Sequence, residues 1–289
     1  MISRRAVTAA SLALTVLALA PAAFTQPAPL ELRVMTLNIW YGGEQVNFAS
    51  VAEVIRAAQA DVVGIQEPDG NLYRLADAVG FAHVDPRRNL ISRFPLFDSG
   101  LGRRTGSDPV PSSITALDAS HLYAWVMVRP GEVVAIANTH LSSDDYGPEA
   151  VRDGAPLAAV LELEQRVRVP QVEPFLALPE ILKDIPLFLT GDLNTPSHRD
   201  WSSAVQPVRS EVIRYPIEWP VTRRLENSGW RDSFREAHTD PARRPGFTWT
   251  AGMPHPYVRA RETIDRIDFV LNLRECSITR CCAFSNHNN

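Results

Sequence analysis

Apolar and polar positions alternate along LELRVMTLNIW (30–40), which predicts a strand running out at Asn38. Asn47 then stands as an N-cap, and Phe48, Val51, Val54, Ile55 and Ala58 fall on one helical face. DVVGIQE (61–67) predicts a second, buried strand ending on Glu67. ISRFPLFDSG (91–100) predicts a strand followed by a turn. LYAWVMVRPGEVVAIANTHL (122–141) predicts a hairpin turning at Pro130-Gly131, with its second strand running out at His140. A helical region broken by Pro170 and Pro174 spans roughly residues 150–183. The short apolar run IPLFL (185–189) predicts a strand buried on both faces, which stops on Gly191-Asp192-Leu193-Asn194. Residues 201–231, rich in Trp, Pro and Arg, read as loops with a short helix, and RIDFVLNL (266–273) is a last strand carrying Asp268. The body of the chain has no internal repeat and no low-complexity run.

Asp192 and Asn194 are two residues apart, so a strand continuing through them points both to one side. They read either as a polar turn closing the strand or as groups that hold a metal ion or a water molecule. The other strand ends carry matching chemistry: Asn38, Glu67, His140 and Asp268. Turns favour Asn, Asp and Gly, but not Glu or His, so the whole set exceeds turn chemistry. Strand ends distant in sequence converge at one edge of a sheet, where carboxylates, amides and a His would make a hard-cation site facing a phosphate.

The 289 residues are 45 % hydrophobic and 21 % charged, ordinary for a soluble globular protein of one large or two small domains. A net charge of -4 disfavours a general nucleic-acid binder, while leaving room for a nuclease with a local basic groove. Arg pairs at 103–104, 223–224 and 243–244 would build such a groove or sit solvated on the surface; Lys183 is the only Lys. Arg4 and Arg5, the apolar stretch Ala6–Ala20 and Pro21-Ala22-Ala23 have the order of a signal peptide, with cleavage expected near Ala22 or Ala23. SRRAVT resembles a twin-arginine signal, and no Cys follows the apolar stretch to take a lipid. The expected organisation is a signal peptide over 1–23, a catalytic domain over 24–275 and an atypical tail over 276–289, the mature protein being secreted or periplasmic. Cys276, Cys281 and Cys282 are the only cysteines, so the body of the fold rests on no disulfide framework.

The motifs TLNIW, GIQE, NTHL, GDLN and RIDF, in this order over residues 32–273, resemble those of the DNase I-like endonuclease/exonuclease/phosphatase superfamily, in an exported bacterial-type form. The resemblance implies an α+β fold: a four-layer α/β/β/α sandwich of two mostly antiparallel sheets with outer helices. It implies hydrolysis of a phosphodiester or phosphomonoester by water attack, dependent on Mg²⁺ or Mn²⁺. Carried over, Glu67 would be the main metal ligand with Asn38 beside it, and Asp268 a further carboxylate near the metal. Asp192 would orient or deprotonate the attacking water, Asn194 would bond the phosphate or the water, and His140 would support phosphate charge in the transition state. The departure lies at the end of the chain. The family places a Ser-Asp-His there, before a last strand, and the nearest match is Ser285-Asn286-His287, two residues from the terminus. His287 is the candidate terminal His, and the tail reads either as that motif with its Asp lost or as an altered terminus.

Tyr146 and Arg152, in the loop SSDDYGPEAVRDG after His140, are candidates for substrate binding, as is Trp219; a packed surface loop is the alternative for each. The partner expected is a phosphate-ester substrate, with nucleic acid not favoured by net charge, no stable membrane anchor, and a monomeric protein. Two other readings remain at the level of sequence: an extracellular nuclease of the same fold, and a binding protein whose site is impaired by the altered tail.

Overall fold

The computed structural model describes residues 30–98, 118–249 and 262–273. The signal-peptide stretch, Arg103-Arg104, the three cysteines and Ser285-Asn286-His287 lie outside the described residues. The chain from Arg33 onward forms one compact unit.

The elements follow in chain order. Strand β1 (Val34–Asn38) leads to helix α1 (Phe48–Ala57), strand β2 (Val62–Gln66) and helix α2 (Leu72–Val79). Short strands β3 (His83–Asp85), β4 (Leu90–Ser92) and β5 (Leu96–Asp98) come next, then the hairpin β6 (Tyr123–Arg129) and β7 (Glu132–His140). A helical stretch follows: α3 (Gly147–Arg152), α4 (Leu157–Val167), α5 (Val169–Val172) and α6 (Leu178–Ile181). Strand β8 (Leu187–Asp192), helix α7 (Pro220–Asn227), strand β9 (Arg231–Asp232), helix α8 (Ser233–Ala237) and strand β10 (Asp268–Asn272) complete the order.

The strands form two sheets, ordered β1-β2-β4-β3 and β5-β6-β7-β8-β10-β9. Only β1–β2 and β7–β8 pair in parallel, so both sheets are mostly antiparallel. Met35, Ile39, Val63 and Ile65 on the outer face of the first sheet pack with Val51 and Ile55 of α1 and Leu72 and Leu75 of α2. Ala135, Ala137, Leu187, Leu189 and Phe269 on the outer face of the second pack with Val172, Phe175, Leu178 and Leu225. The expected four-layer α/β/β/α sandwich is therefore the architecture observed.

Asn47 caps α1 as its side chain predicts, with Oδ1 accepting from Ala49 N–H at 3.0 Å. ISRFPLFDSG departs from expectation: it supplies two strands, β4 and β5, in different sheets. Pro95 explains the break, because it offers no N–H to a ladder while its carbonyl accepts from Met127 N–H at 3.0 Å.

The inner faces meet through polar side chains. Thr36, Asn38, Gly64 and Gln66 alternate onto the inner face of the first sheet, and Asn138, His140, Thr190 and Asp192 onto that of the second. Gln66 Nε2 donates to Asn138 Oδ1 at 2.7 Å, and Thr190 Oγ1 donates to the same oxygen at 2.9 Å. Asn138 Nδ2 in turn donates to the carbonyls of Ile65 (3.0 Å) and Arg88 (2.9 Å). At Gly64 the sheets come too close for a side chain: a Cβ there would stand 2.0 Å from Thr190 Oγ1 and 2.5 Å from Asn138 Oδ1. Gly64→Ala is expected to push the sheets apart, lowering stability by about 1–3 kcal/mol and lowering turnover as well. Urea unfolding and steady-state rates check this, and an unchanged midpoint would show that the sheets are not held so closely.

Candidate active site

The site is built one rung beyond that polar seam. His140, Asp192 and Asp268 stand side by side, since His140 faces Asp192 in the β7–β8 register and Asp192 faces Asp268 in the β8–β10 register. Asn38 is the last residue of β1, beside Gln66 in β2. Glu67 follows immediately with a φ of 53°, a positive value that a non-glycine residue adopts rarely. This turn lifts Glu67 out of the strand's alternation and brings its carboxylate back to Asn38.

Asn38 joins the two sheets. Its Nδ2 donates to Glu67 Oε1 at 3.0 Å and to Asp192 Oδ2 at 2.9 Å. Its Oδ1 accepts from Trp40 N–H at 2.9 Å, and Glu67 Oε2 accepts from Tyr41 N–H at 3.1 Å. His140 Nε2 lies 3.6 Å from Asp192 Oδ2 and 3.9 Å from Glu67 Oε1. Asn194, with a φ of 48°, places its Nδ2 3.1 Å from the same ring nitrogen while donating to the Leu141 carbonyl at 2.9 Å. Asn194 N–H also donates to Asp192 Oδ1 at 2.9 Å. Asn38, Glu67, His140, Asp192 and Asn194 are thus brought together in one cluster.

Depth divides the carboxylates. The Glu67 and His140 side chains keep 26 % and 31 % exposure, while that of Asp192 keeps 7 %. Burial raises the Asp192 pKa, opposed by the Asn38 hydrogen bond, the His140 ring and the Asn194 N–H. Asp268 is pushed well above the ordinary carboxylate range, first by burial and then by the like charge of Asp192. Among the described residues its Oδ1 has no hydrogen-bond partner. Burial and the neighbouring Asp192 charge both disfavour the ionised form of Asp268.

The donor set suits a hard cation. Among the described residues, no group of three or more His, Cys, Asp or Glu is arranged to hold a metal ion as a closed cage. Glu67 supplies a partly exposed carboxylate that could take part in an open site of the kind Mg²⁺ completes with waters and phosphate, whereas Asn38, expected beside it as a ligand, turns its amide nitrogen to Glu67 and its oxygen to Trp40 N–H. The carboxylates of Glu67 and Asp192 would repel an anionic phosphate, a repulsion that a bound cation would offset.

The loop residues are placed differently. The Tyr146 hydroxyl donates to Asp265 Oδ2 at 3.2 Å, in a node where Asp265 also accepts from Trp201 Nε1 (3.0 Å) and Arg209 (3.2 Å). Burial and the Asp265 charge raise the Tyr146 pKa well above its ordinary value. The Arg152 guanidinium is paired with Asp153 at 2.9 Å and Glu149 at 3.5 Å. Trp219 is fully buried, edge-on to Trp201 with ring centroids 5.0 Å apart. Arg223 pairs with Glu218 and Glu226, and Arg224 with Glu173. The supporting residues Gln66, Asn138 and Thr190 carry no chemical signature of their own. Their signal is position: each lies next to, or two residues before, a candidate catalytic group.

The Endonuclease/Exonuclease/phosphatase family matches residues 35–272 of this chain. An uncharacterized protein of Caenorhabditis elegans, F14F9.5, is 30 % identical over 253 residues, 83 % of this chain and 77 % of that protein. Solved structures with similarity include TDP2 from Caenorhabditis elegans, 15 % identical with a TM-score of 0.44, over 84 % of this chain and 63 % of that one. An AP endonuclease from Archaeoglobus fulgidus is 13 % identical, with a TM-score of 0.44, over 85 % and 88 % of the two chains. D. rerio TDP2 complexed with single strand DNA product is 14 % identical, with a TM-score of 0.48, over 85 % and 86 %. By the match that runs from β1 to β10, this chain belongs to the endonuclease/exonuclease/phosphatase family, and its general class is that of the phosphoesterases.

Proposed function

We propose that the chain is an exported phosphoesterase that uses Mg²⁺ or Mn²⁺ and hydrolyses a phosphodiester or phosphomonoester by water attack. The observation that carries this reading is the Asn38 amide, which holds Glu67 and Asp192 together from opposite sheets beside His140. Glu67, oriented by the Asn38 amide, would hold the cation, which would supply charge neutralisation of the phosphoryl oxygens. Asp192 is the group that orients the attacking water and takes its proton, being fixed at both oxygens by Asn38 and by Asn194 N–H. His140, with Nε2 taking the Asn194 amide proton, would donate from its other ring nitrogen to a phosphoryl oxygen as negative charge moves there. Asp268, beside Asp192 in the ladder, would be a further carboxylate near the metal. Among the described residues no helix is long and apolar enough to cross a membrane.

On bis(p-nitrophenyl) phosphate, chelation is expected to abolish hydrolysis, and added Mg²⁺ or Mn²⁺ to restore it. Unchanged rates after thorough chelation would sink the metal assignment. Asp192→Asn is expected to lower kcat by about 10²-fold or more with little change in KM, because its work is done in the transition state. A raised KM with unchanged kcat would contradict that role. Export rests on the basic, apolar and small-residue segments of residues 4–23. Sequencing the amino terminus of protein recovered outside the cytoplasm should find a start near Phe24, and full-length protein retained inside the cell would contradict it.

A further inference from the structure

The turn after the first catalytic strand carries two aromatic residues in a conformation that disfavours them. Trp40 and Tyr41 have φ values of 52° and 50°, which crowd a bulky side chain against its own backbone. Hydrogen bonds hold the turn in place. Trp40 N–H donates to Asn38 Oδ1 at 2.9 Å, Tyr41 N–H to Glu67 Oε2 at 3.1 Å, and Gly42 N–H to the Glu67 carbonyl at 2.8 Å. Asn71 Nδ2 fastens the turn from behind, donating to the Gly42 carbonyl at 2.9 Å. Core packing does not explain the choice of side chain, because Tyr41 is 58 % exposed. A large, exposed ring is therefore carried at a strained position by a residue whose backbone N–H bonds the Glu67 carboxylate.

The surroundings narrow what such a ring would meet. The Trp40 and Tyr41 rings lie 6.5 Å apart and tilted by 37°, so they form no flat apolar floor. Glu44 nearby accepts from Arg74 at 2.7 Å and from Asn71 at 3.1 Å, a polar rim. An acyl chain needs a continuous apolar trough, which this rim interrupts. A planar or pyranose ring needs only one aromatic face to lie against.

We propose that Tyr41 is a specificity-determining residue that stacks on a ring carried by the alcohol portion of the phosphate ester. This rests on the phosphoesterase reading above. Nucleobases and sugars share the required chemistry, an apolar ring face next to a phosphate.

The test compares wild type with Tyr41→Ala, and with Tyr41→Asn, which tolerates a positive φ. The substrates are p-nitrophenyl phosphodiesters that share a leaving group and differ in the second ester group: thymidine, glucose or ethyl. Binding of thymidine monophosphate, glucose 6-phosphate and ethyl phosphate is measured by calorimetry in parallel. Both variants should lower the ratio of kcat/KM for a ring-bearing ester over the ethyl ester by about tenfold, the scale of a lost aromatic stack. The Kd for the matching ring phosphate should rise by a similar factor, and Tyr41→Phe should restore both. Whichever ligand shows the loss, thymidine or glucose, identifies the ring. Equal losses on ring and ethyl compounds, or no loss on either, overturn the proposal. Binding of ring phosphates that depends on Tyr41, in a protein that hydrolyses none of the esters, supports the ring site and defeats the phosphoesterase reading.

Discussion

The contact on which the site depends is the approach of two sheets at a residue with no side chain. Gly64 lets the first sheet lie against Thr190 and Asn138 of the second, closer than any Cβ would permit. The Asn138 amide then bonds in both directions, accepting from Gln66 and Thr190 and donating to the carbonyls of Ile65 and Arg88. A part-buried amide with its bonds satisfied fixes separation and sideways register together, because a slip by one residue would orphan several polar atoms. Side chains alternate with a period of two, so the same register that sets Asn138 and Thr190 inward also sets His140 and Asp192 inward. On the facing sheet, Thr36 and Gly64 do the same for Asn38, with Glu67 turned back to join it. The seam is structural and the next rung is chemical, and one ladder positions both.

That rung is electrostatically unfavourable in isolation. Asp192 and Asp268 are buried side by side, and both pKa values are pushed up by lost hydration. The fold keeps them adjacent because they are cross-strand neighbours, held by ladder hydrogen bonds that no side-chain repulsion can undo cheaply. Asn38 offsets part of the cost by giving one amide to two carboxylates. What remains is a concentration of carboxyl groups, to which the proposed cation would be the complement. Of the eight non-glycine residues with positive φ among the described residues, four, Trp40, Tyr41, Glu67 and Asn194, lie around this rung.

Much of this was legible in the sequence because strand ends are legible. Alternation and short apolar runs located β1, β2, β7, β8 and β10, and the chemistry at Asn38, Glu67, His140, Asp192 and Asp268 stood where each pattern stopped. Shorter elements were not. β4 and β5 are three residues each, and only pairing with different sheets separates them. Helix α2 leaves only a faint local mark: Leu72, Leu75 and Ala76 share a face and Gly80 ends it, a signal confined to two turns. Gln66, Asn138 and Thr190 carry no mark of the seam, since their role depends on a partner sheet that no local window contains. Tyr146 and Trp219 show the opposite difficulty. An aromatic residue in a polar loop reads equally as a binding group or as packing, and only the tertiary partners, Asp265 and Trp201, say which contacts it makes.

If the two half-sites form one unit, groups contributed by opposite sheets must act together. A double-mutant cycle between Glu67→Gln, after β2, and Asp192→Asn, at the end of β8, measures this directly through turnover. The account predicts strong non-additivity, with the double variant close to the worse single variant, as groups acting in one step behave. Losses that simply multiply would contradict it, because Glu67 and Asp192 would then be contributing independently rather than through a single assembled centre.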